Sequence, residues 1–291
     1  MRACHYLRPL LFSLLLLPFL LSTGSAQDHP DWPPRLDPTR TTLHPEWKRF
    51  FDTLGLDSGC IVIYDEQANR YHVYNPARAE RGYAPVSLFK VVLTLEALEE
   101  KLIDSSNTLI KWDGLNRGSS ELNQNHTILE AFHNVSIWAF TQLSARIGKE
   151  RLYEVMSRIR YGNADTAGDA VRFWTNGRLK ISSVASSDFI RMVADGRVPG
   201  YSQRSQRIVR DMLFRIDTLG TALYRKTGLG WVGDVQLGRN QGWVERNGRR
   251  WFFCLNFQTT DMAFPTRAAR RYIFVSALQS VGALPNGWDA D

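Results

Sequence analysis

Pro85-Val86-Ser87-Leu88-Phe89-Lys90 runs directly into the apolar stretch Val91-Val92-Leu93-Thr94-Leu95-Glu96-Ala97-Leu98. The apolar run predicts a helix reaching to about residue 103. A serine followed three residues later by a lysine puts both side chains on one face of its first turn. A serine hydroxyl is a weak nucleophile until a base stands within hydrogen-bond reach. A lysine can be that base only when its ammonium is neutralised, by desolvation or by chemical modification. Phe89, Val91 and Val92 are apolar neighbours that favour the neutral form. The N–H groups of the helix start add donors for a developing oxyanion. Taken alone, the pair also reads as an ordinary helix start, with Ser87 as N-cap and Lys90 in water.

Upstream, Gly59-Cys60-Ile61-Val62-Ile63-Tyr64-Asp65 reads as a buried strand. A polar turn at 66–69 and a second strand over 70–74 make a hairpin. Residues 47–54 predict a short helix ending at Gly55. Downstream, 104–215 is mostly helical. One long periodic segment covers 127–147 and ends at Gly148, and further helices cover 182–193 and 202–216. Strands return at 230–237, at 242–246 and, after the hairpin turn Asn247-Gly248, at 250–257; a helix over 267–278 closes the chain. Strands at both ends of a helical middle predict an α+β fold. One antiparallel sheet is built from both termini, with flanking helices and an inserted helical subdomain.

Within 291 residues, 1–26 reads as a secretory signal: Arg2 and Arg8, an apolar core at 10–21, then Gly24-Ser25-Ala26. Residues 27–45, with five prolines, read as an N-terminal arm, and 46–291 as one catalytic domain (α/β part 46–103 and 216–291, helical part 104–215). The expected product is an exported, periplasmic protein without stable membrane insertion, monomeric or homodimeric. The net charge of +7 becomes +5 once the signal arginines are removed, and no Lys/Arg block points to nucleic acid. The histidines lack ligand spacing, so no metal is expected. Cys60 and Cys254, both in apolar strands, are free thiols or a disulfide.

Two later features line up with the serine and lysine: the turn Tyr161-Gly162-Asn163, and Lys226-Thr227-Gly228 leading into a strand. Ser-x-x-Lys followed by Lys-Thr-Gly is the motif pair of serine β-lactamases and penicillin-binding proteins. Acyl transfer needs a nucleophile, a base, oxyanion donors and a cation for the substrate carboxylate. Lys226 on an edge strand facing the serine supplies that cation, and the small Thr227-Gly228 allows close backbone approach.

With these motifs the chain resembles the class D β-lactamases, the oxacillinase family, from about residue 47 to 278. Pro85 to Lys90 is similar to that family's Pro-Ala-Ser-Thr-Phe-Lys, and Tyr161-Gly162-Asn163 to its Tyr-Gly-Asn. Trp112-Asp113-Gly114, Phe173-Trp174, Leu179-Lys180-Ile181-Ser182 and Gly242-Trp243-Val244-Glu245 are further landmarks. The resemblance implies hydrolysis of β-lactams. Ser87 would be acylated, and Lys90, N-carboxylated by CO2 or bicarbonate, would be the base in both half-reactions; no other cofactor is implied. Trp174 would hydrogen-bond the carbamate. Lys226 and an arginine of the last helix would bind the β-lactam carboxylate; Arg270 fits the spacing best and Arg267 is the rival. The N–H groups of Ser87 and Leu229 would form the oxyanion hole.

One position departs from the pattern. Ungapped alignment puts Val135 where the family has the proton-relaying serine of Ser-x-Val, with Ser136 next and Ile137 in place of the valine. One helical step is about 100° of rotation, so Ser136 reaches the relay position only if the helix is wound differently there. Two other readings stay open. One is a β-lactam-binding sensor-type protein that is acylated at Ser87 and stays so; the other is a peptidoglycan D,D-peptidase.

Overall fold

The computed structural model describes residues 35–56, 58–134, 136–169 and 171–288. The expected signal sequence, most of the arm and Val135 lie outside the described residues. The first hairpin falls where its β-branched and aromatic runs place it, as β2 (Gly59–Asp65) and β3 (Arg70–Tyr74), with β1 (Thr41–Leu43) added in parallel to β3. The carboxyl-terminal strands are β6 (Phe214–Thr218), β7 (Thr221–Val232), β8 (Val235–Arg246) and β9 (Arg249–Thr259). They join the first set through β2 and β9, in the order β1-β3-β2-β9-β8-β7-β6, antiparallel apart from β1–β3. One sheet built from both ends of the chain is the predicted α+β arrangement. A separate two-stranded ribbon pairs β4 (Leu109–Ile110) with β5 (His126–Thr127).

On one face of the sheet lie α1 (Lys48–Asp52) and α9 (Thr266–Ser280). Trp47, Phe51, Ile273 and Phe274 close a core there with Ile61, Ile63, Phe253 and Leu255. The other face carries α2 (Pro76–Glu80), α3 (Lys90–Glu99) and α7 (Ser183–Ala194). The helical part adds α4 (Ile128–His133), α5 (Ile137–Ile147), α6 (Lys149–Arg158) and α8 (Gln203–Leu213). Every residue of α3 from Lys90 to Leu98 is buried, which makes it the central helix. Burying a leucine such as Leu93 or Leu95 stabilises by about 1.5–3 kcal/mol.

Several boundaries depart from the sequence expectation. α3 ends at Glu99 rather than near 103, because Lys101 turns left-handed (φ +55°) and Leu102 N–H returns to the Ala97 carbonyl at 2.9 Å. The helix expected to 216 stops at Leu213, where Phe214–Thr218 pairs with β7 across the turn Leu219-Gly220. β7 and β8 each extend well beyond the expected segments and meet at Gly233-Asp234. Lys226-Thr227-Gly228 therefore lies inside a strand rather than ahead of one. The long helix expected over 127–147 is two helices, broken between His133 and Ile137.

Candidate active site

Ser87 sits in a tight 3-10 turn, Val86–Phe89, that leads into α3, with Lys90 as the first α-helical residue. Val86 holds φ +47°, a left-handed conformation that β-branched residues rarely adopt. Its N–H donates to the Trp174 carbonyl at 3.1 Å. Its side chain presses on β7: a Cβ at Gly228 would lie 2.6 Å from Val86 Cγ2, and one at Gly230 2.4 Å from Val86 Cγ1. Gly228 is thus needed for strand-to-turn contact, a role beyond the close substrate approach expected of it. Ser87 itself is half-buried, flanked by the fully buried Val86 and Leu88.

Lys90 Nζ points into the helical part, where it donates to the carbonyls of Ala131 (2.6 Å) and Asn134 (3.1 Å) and lies 4.7 Å from the centre of the Phe140 ring. The helix break explains this. In an unbroken helix the Ala131 carbonyl would accept from the N–H four residues on. Ending α4 at His133 leaves terminal carbonyls free, and Lys90 takes them. Among the described residues no carboxylate pairs with the amine, and burial pushes its pKa down to about 7.

The break also settles the surroundings of Ser136. It is non-helical (φ −68°, ψ 74°) and fully buried, and its Oγ has no hydrogen-bond partner among the described residues. A serine inside a continuous helix, bonded to its own backbone, is not what is found there.

Lys226 is buried in β7, its Nζ bonded to the Thr227 carbonyl (2.9 Å) and 5.2 Å from the centre of the Phe132 ring, next in sequence to Ala131. Burial lowers its pKa well below the usual lysine range, with Lys90, Arg270, Arg215 and Arg225 adding repulsion. β6, the outermost strand, pairs only with Thr221–Tyr224, so among the described residues no strand covers that side of β7 from Arg225 onward, which includes Lys226, Thr227, Gly228 and Leu229. Arg270 of α9 donates to the Gly228 carbonyl at 2.7 Å, while Arg267 is exposed. Burial, then Arg267, pushes Arg270 down to about 10.

The remaining predicted residues buttress the serine turn. Trp174 stacks on Phe89 (5.7 Å, 30°), and Tyr161 packs against Phe89 and edge-on against Phe189. Asn163 Oδ1 accepts from Lys180 N–H and its Nδ2 donates to the Arg178 carbonyl. Ile181 in turn exchanges both backbone bonds with Tyr83, just upstream of Ser87. Gly162 allows this, since a Cβ there would sit 2.0 Å from the Lys180 carbonyl oxygen at φ +60°. Gly162→Ala is expected to cost about 2–4 kcal/mol from strain and overpacking. Urea unfolding measures it, and a loss below about 1 kcal/mol would show that the turn yields.

Arg239 of β8 went unforeseen in the sequence. Fully buried, it donates from Nη1 to the carbonyls of Tyr83, Ala84 and Ile181 (3.1–3.2 Å) and from Nη2 to Ser186 Oγ and Cys254 Sγ. The only sequence signal is the polar run Arg239-Asn240-Gln241 within a central strand. Cys60 and Cys254 are free, and burial pushes the Cys60 thiol up to about 11.

The sequence and the fold have known counterparts. The family model for the penicillin-binding protein transpeptidase domain matches residues 59–278, and β-lactamase OXA-2 of Salmonella typhimurium is 33% identical over 245 residues, covering 82% of this chain and 86% of the relative. The chain belongs to the class D β-lactamase family. Two solved structures place this class D family member further. The class D β-lactamase YbXI from Nostoc superposes with a TM-score of 0.76 at 30% identity, covering 82% of this chain and 99% of that one. The C-terminal domain of the Bacillus licheniformis BlaR penicillin-receptor gives 0.78 at 27% identity, with 86% and 100% covered. The chain thus resembles, at nearly the same TM-score, both a class D β-lactamase and a domain of a penicillin receptor.

Proposed function

We propose that this protein hydrolyses β-lactams through an acyl-enzyme on Ser87. The supporting observation is Lys90: a buried amine at the foot of the serine turn, facing carbonyls and an aromatic ring, with no carboxylate among the described residues to hold its proton. An amine with a pKa of about 7 is substantially neutral under ordinary conditions and can add CO2. The pocket suits the modified side chain, because one N–H remains to donate to a carbonyl and apolar walls exclude competing water. Carboxylation supplies an anionic general base. Ser87 Oγ bonds to the lactam carbonyl carbon, its proton passes to the ring nitrogen as the C–N bond breaks, and water then cleaves the ester. Lys226 and Arg270 hold the ring carboxylate, Trp174 braces the turn, and Ser87 and Leu229 N–H groups receive the oxyanion. Ser136, with its orphaned hydroxyl, is the proton relay in place of the serine missing at Val135. Export to the periplasm accords with the leader, and no helix among the described residues is long and apolar enough to cross a membrane.

A second reading is a receptor acylated without turnover, favoured by Val135 and by the BlaR likeness. Intact mass and product, followed together after adding a penicillin with and without bicarbonate, separate the two. Many turnovers, faster with bicarbonate, are expected. A stable one-to-one adduct would replace the hydrolase with the receptor, and an unlabelled Ser87 would overturn both.

A further inference from the structure

A gathering of cations beside Lys226 exceeds what one ring carboxylate requires. Arg215 stands at a bulge in β6: the register passes from Phe214 to Ile216, so Arg215 has no partner on β7. Bulges re-aim side chains next to functional sites. Here the Arg215 guanidinium is turned onto α4, where Nη1 donates to His133 Nδ1 at 2.5 Å. An arginine has only donors, so Nδ1 accepts and the imidazole proton is on Nε2. Burial, then Arg215, Lys226 and Lys90, pushes His133 down to about 3, so the ring stays neutral and a fixed seat for the arginine.

Arg225 is pushed down to about 10 by burial and then by Arg215, Arg270, Arg267 and Arg271. Among the described residues, Arg215, Arg225, Lys226, Arg267 and Arg270 make no ion pair with a carboxylate. Like charges brought together without acids destabilise the empty protein and attract anions. A substrate's ring carboxylate on Lys226 and Arg270 supplies one negative charge. Arg215 still offers unused N–H donors in a planar fork suited to an oxyanion.

We propose that Arg215, positioned by His133, forms a second anion subsite beside Lys226 that selects β-lactams bearing a further carboxylate or sulfonate at the ring-carboxylate end. The proposal rests on the β-lactam reading above and names the substrate class within it.

The test uses two cephalosporins with the same acyl side chain, one with a neutral C3 substituent and one with a sulfonate on it. The second-order rate of Ser87 acylation is read by mass for each. Wild type is expected to favour the sulfonate about tenfold at low salt, with the preference shrinking at high salt as screening grows. Arg215→Gln brings the ratio to about one, Arg215→Lys keeps part of it, and His133→Ala lowers it with the charge still present. Thermal unfolding of each variant confirms that it is folded. A wild-type ratio near one, or a ratio that Arg215→Gln leaves unmoved, overturns the subsite while the β-lactam reading stands. Failure of both compounds and of a penicillin to label Ser87 overturns both.

Discussion

Lys90→Met is expected to cut β-lactam turnover by about 10²–10⁴-fold, the usual loss on removing a proton-transfer group. Methionine fills the same apolar pocket without offering a base. Any Ser87 ester that still forms should persist, so intact mass should show an adduct where the wild type shows free enzyme. Bicarbonate should then lose its effect. Turnover within threefold of wild type would show that another group is the base.

The same variant tests the electrostatics of the pocket through stability. The Lys90 pKa is about 7 in the fold because of burial, against about 10.4 for an exposed lysine. Between those values the unfolded chain binds a proton that the native protein does not, so wild-type stability rises with pH across that window. Below pH 7 both states are charged and the native state bears the full cost of burying the ammonium. In CO2-free buffer, Lys90→Met should therefore be more stable than wild type by about 2 kcal/mol at pH 6, allowing for the two carbonyls that lose a donor. The advantage should fade towards pH 10. A variant destabilised at pH 6 would mean that the carbonyl bonds outweigh desolvation.

What could be read in the sequence was local. β2 and β3 came out to the residue because a β-branched run between a glycine and a polar turn has few alternatives. The Asn247-Gly248 turn fixed the β8–β9 pairing by its own backbone chemistry. Ser87, Lys90, Lys226 and the Tyr161-Gly162-Asn163 turn were visible as spaced residue types. In the fold Ser87 and Lys90 lie in and just after the turn that begins at Val86, Tyr161 packs on Phe89 of that turn, and Lys226 lies on β7, whose Gly228 meets Val86.

What stayed hidden depends on contacts far apart in sequence. Apolar spacing runs from Ile128 to Leu143 with no glycine or proline between, so nothing local marks the break after His133; the Lys90 amine from another helix is what occupies the freed carbonyls. Gly228 and Gly230 weaken any strand reading of β7. They are there because Val86 occupies the space a side chain would need. The strained backbone of Val86 leaves no trace in residue type at all.

Arg239 shows most clearly how a site can rest on a residue that sequence reading passes over. Arg239→Met is expected to lower stability by about 3 kcal/mol and the melting temperature by about 6–12 °C. The Tyr83 and Ile181 carbonyls keep each other's N–H groups, but no other hydrogen bond to the Ala84 carbonyl appears among the described residues. The buried charge itself is costly, which is why the expected loss is less than the sum of its bonds. Ala84 stands three residues before the nucleophile, so losing this anchor should slow Ser87 acylation at least tenfold even at temperatures where the variant is fully folded. Lysine should not rescue it, since a single ammonium cannot reproduce the planar fork that spans three carbonyls and Ser186. A melting temperature and acylation rate close to wild type in Arg239→Met would show that the sheet and the strained valine hold the serine turn without it.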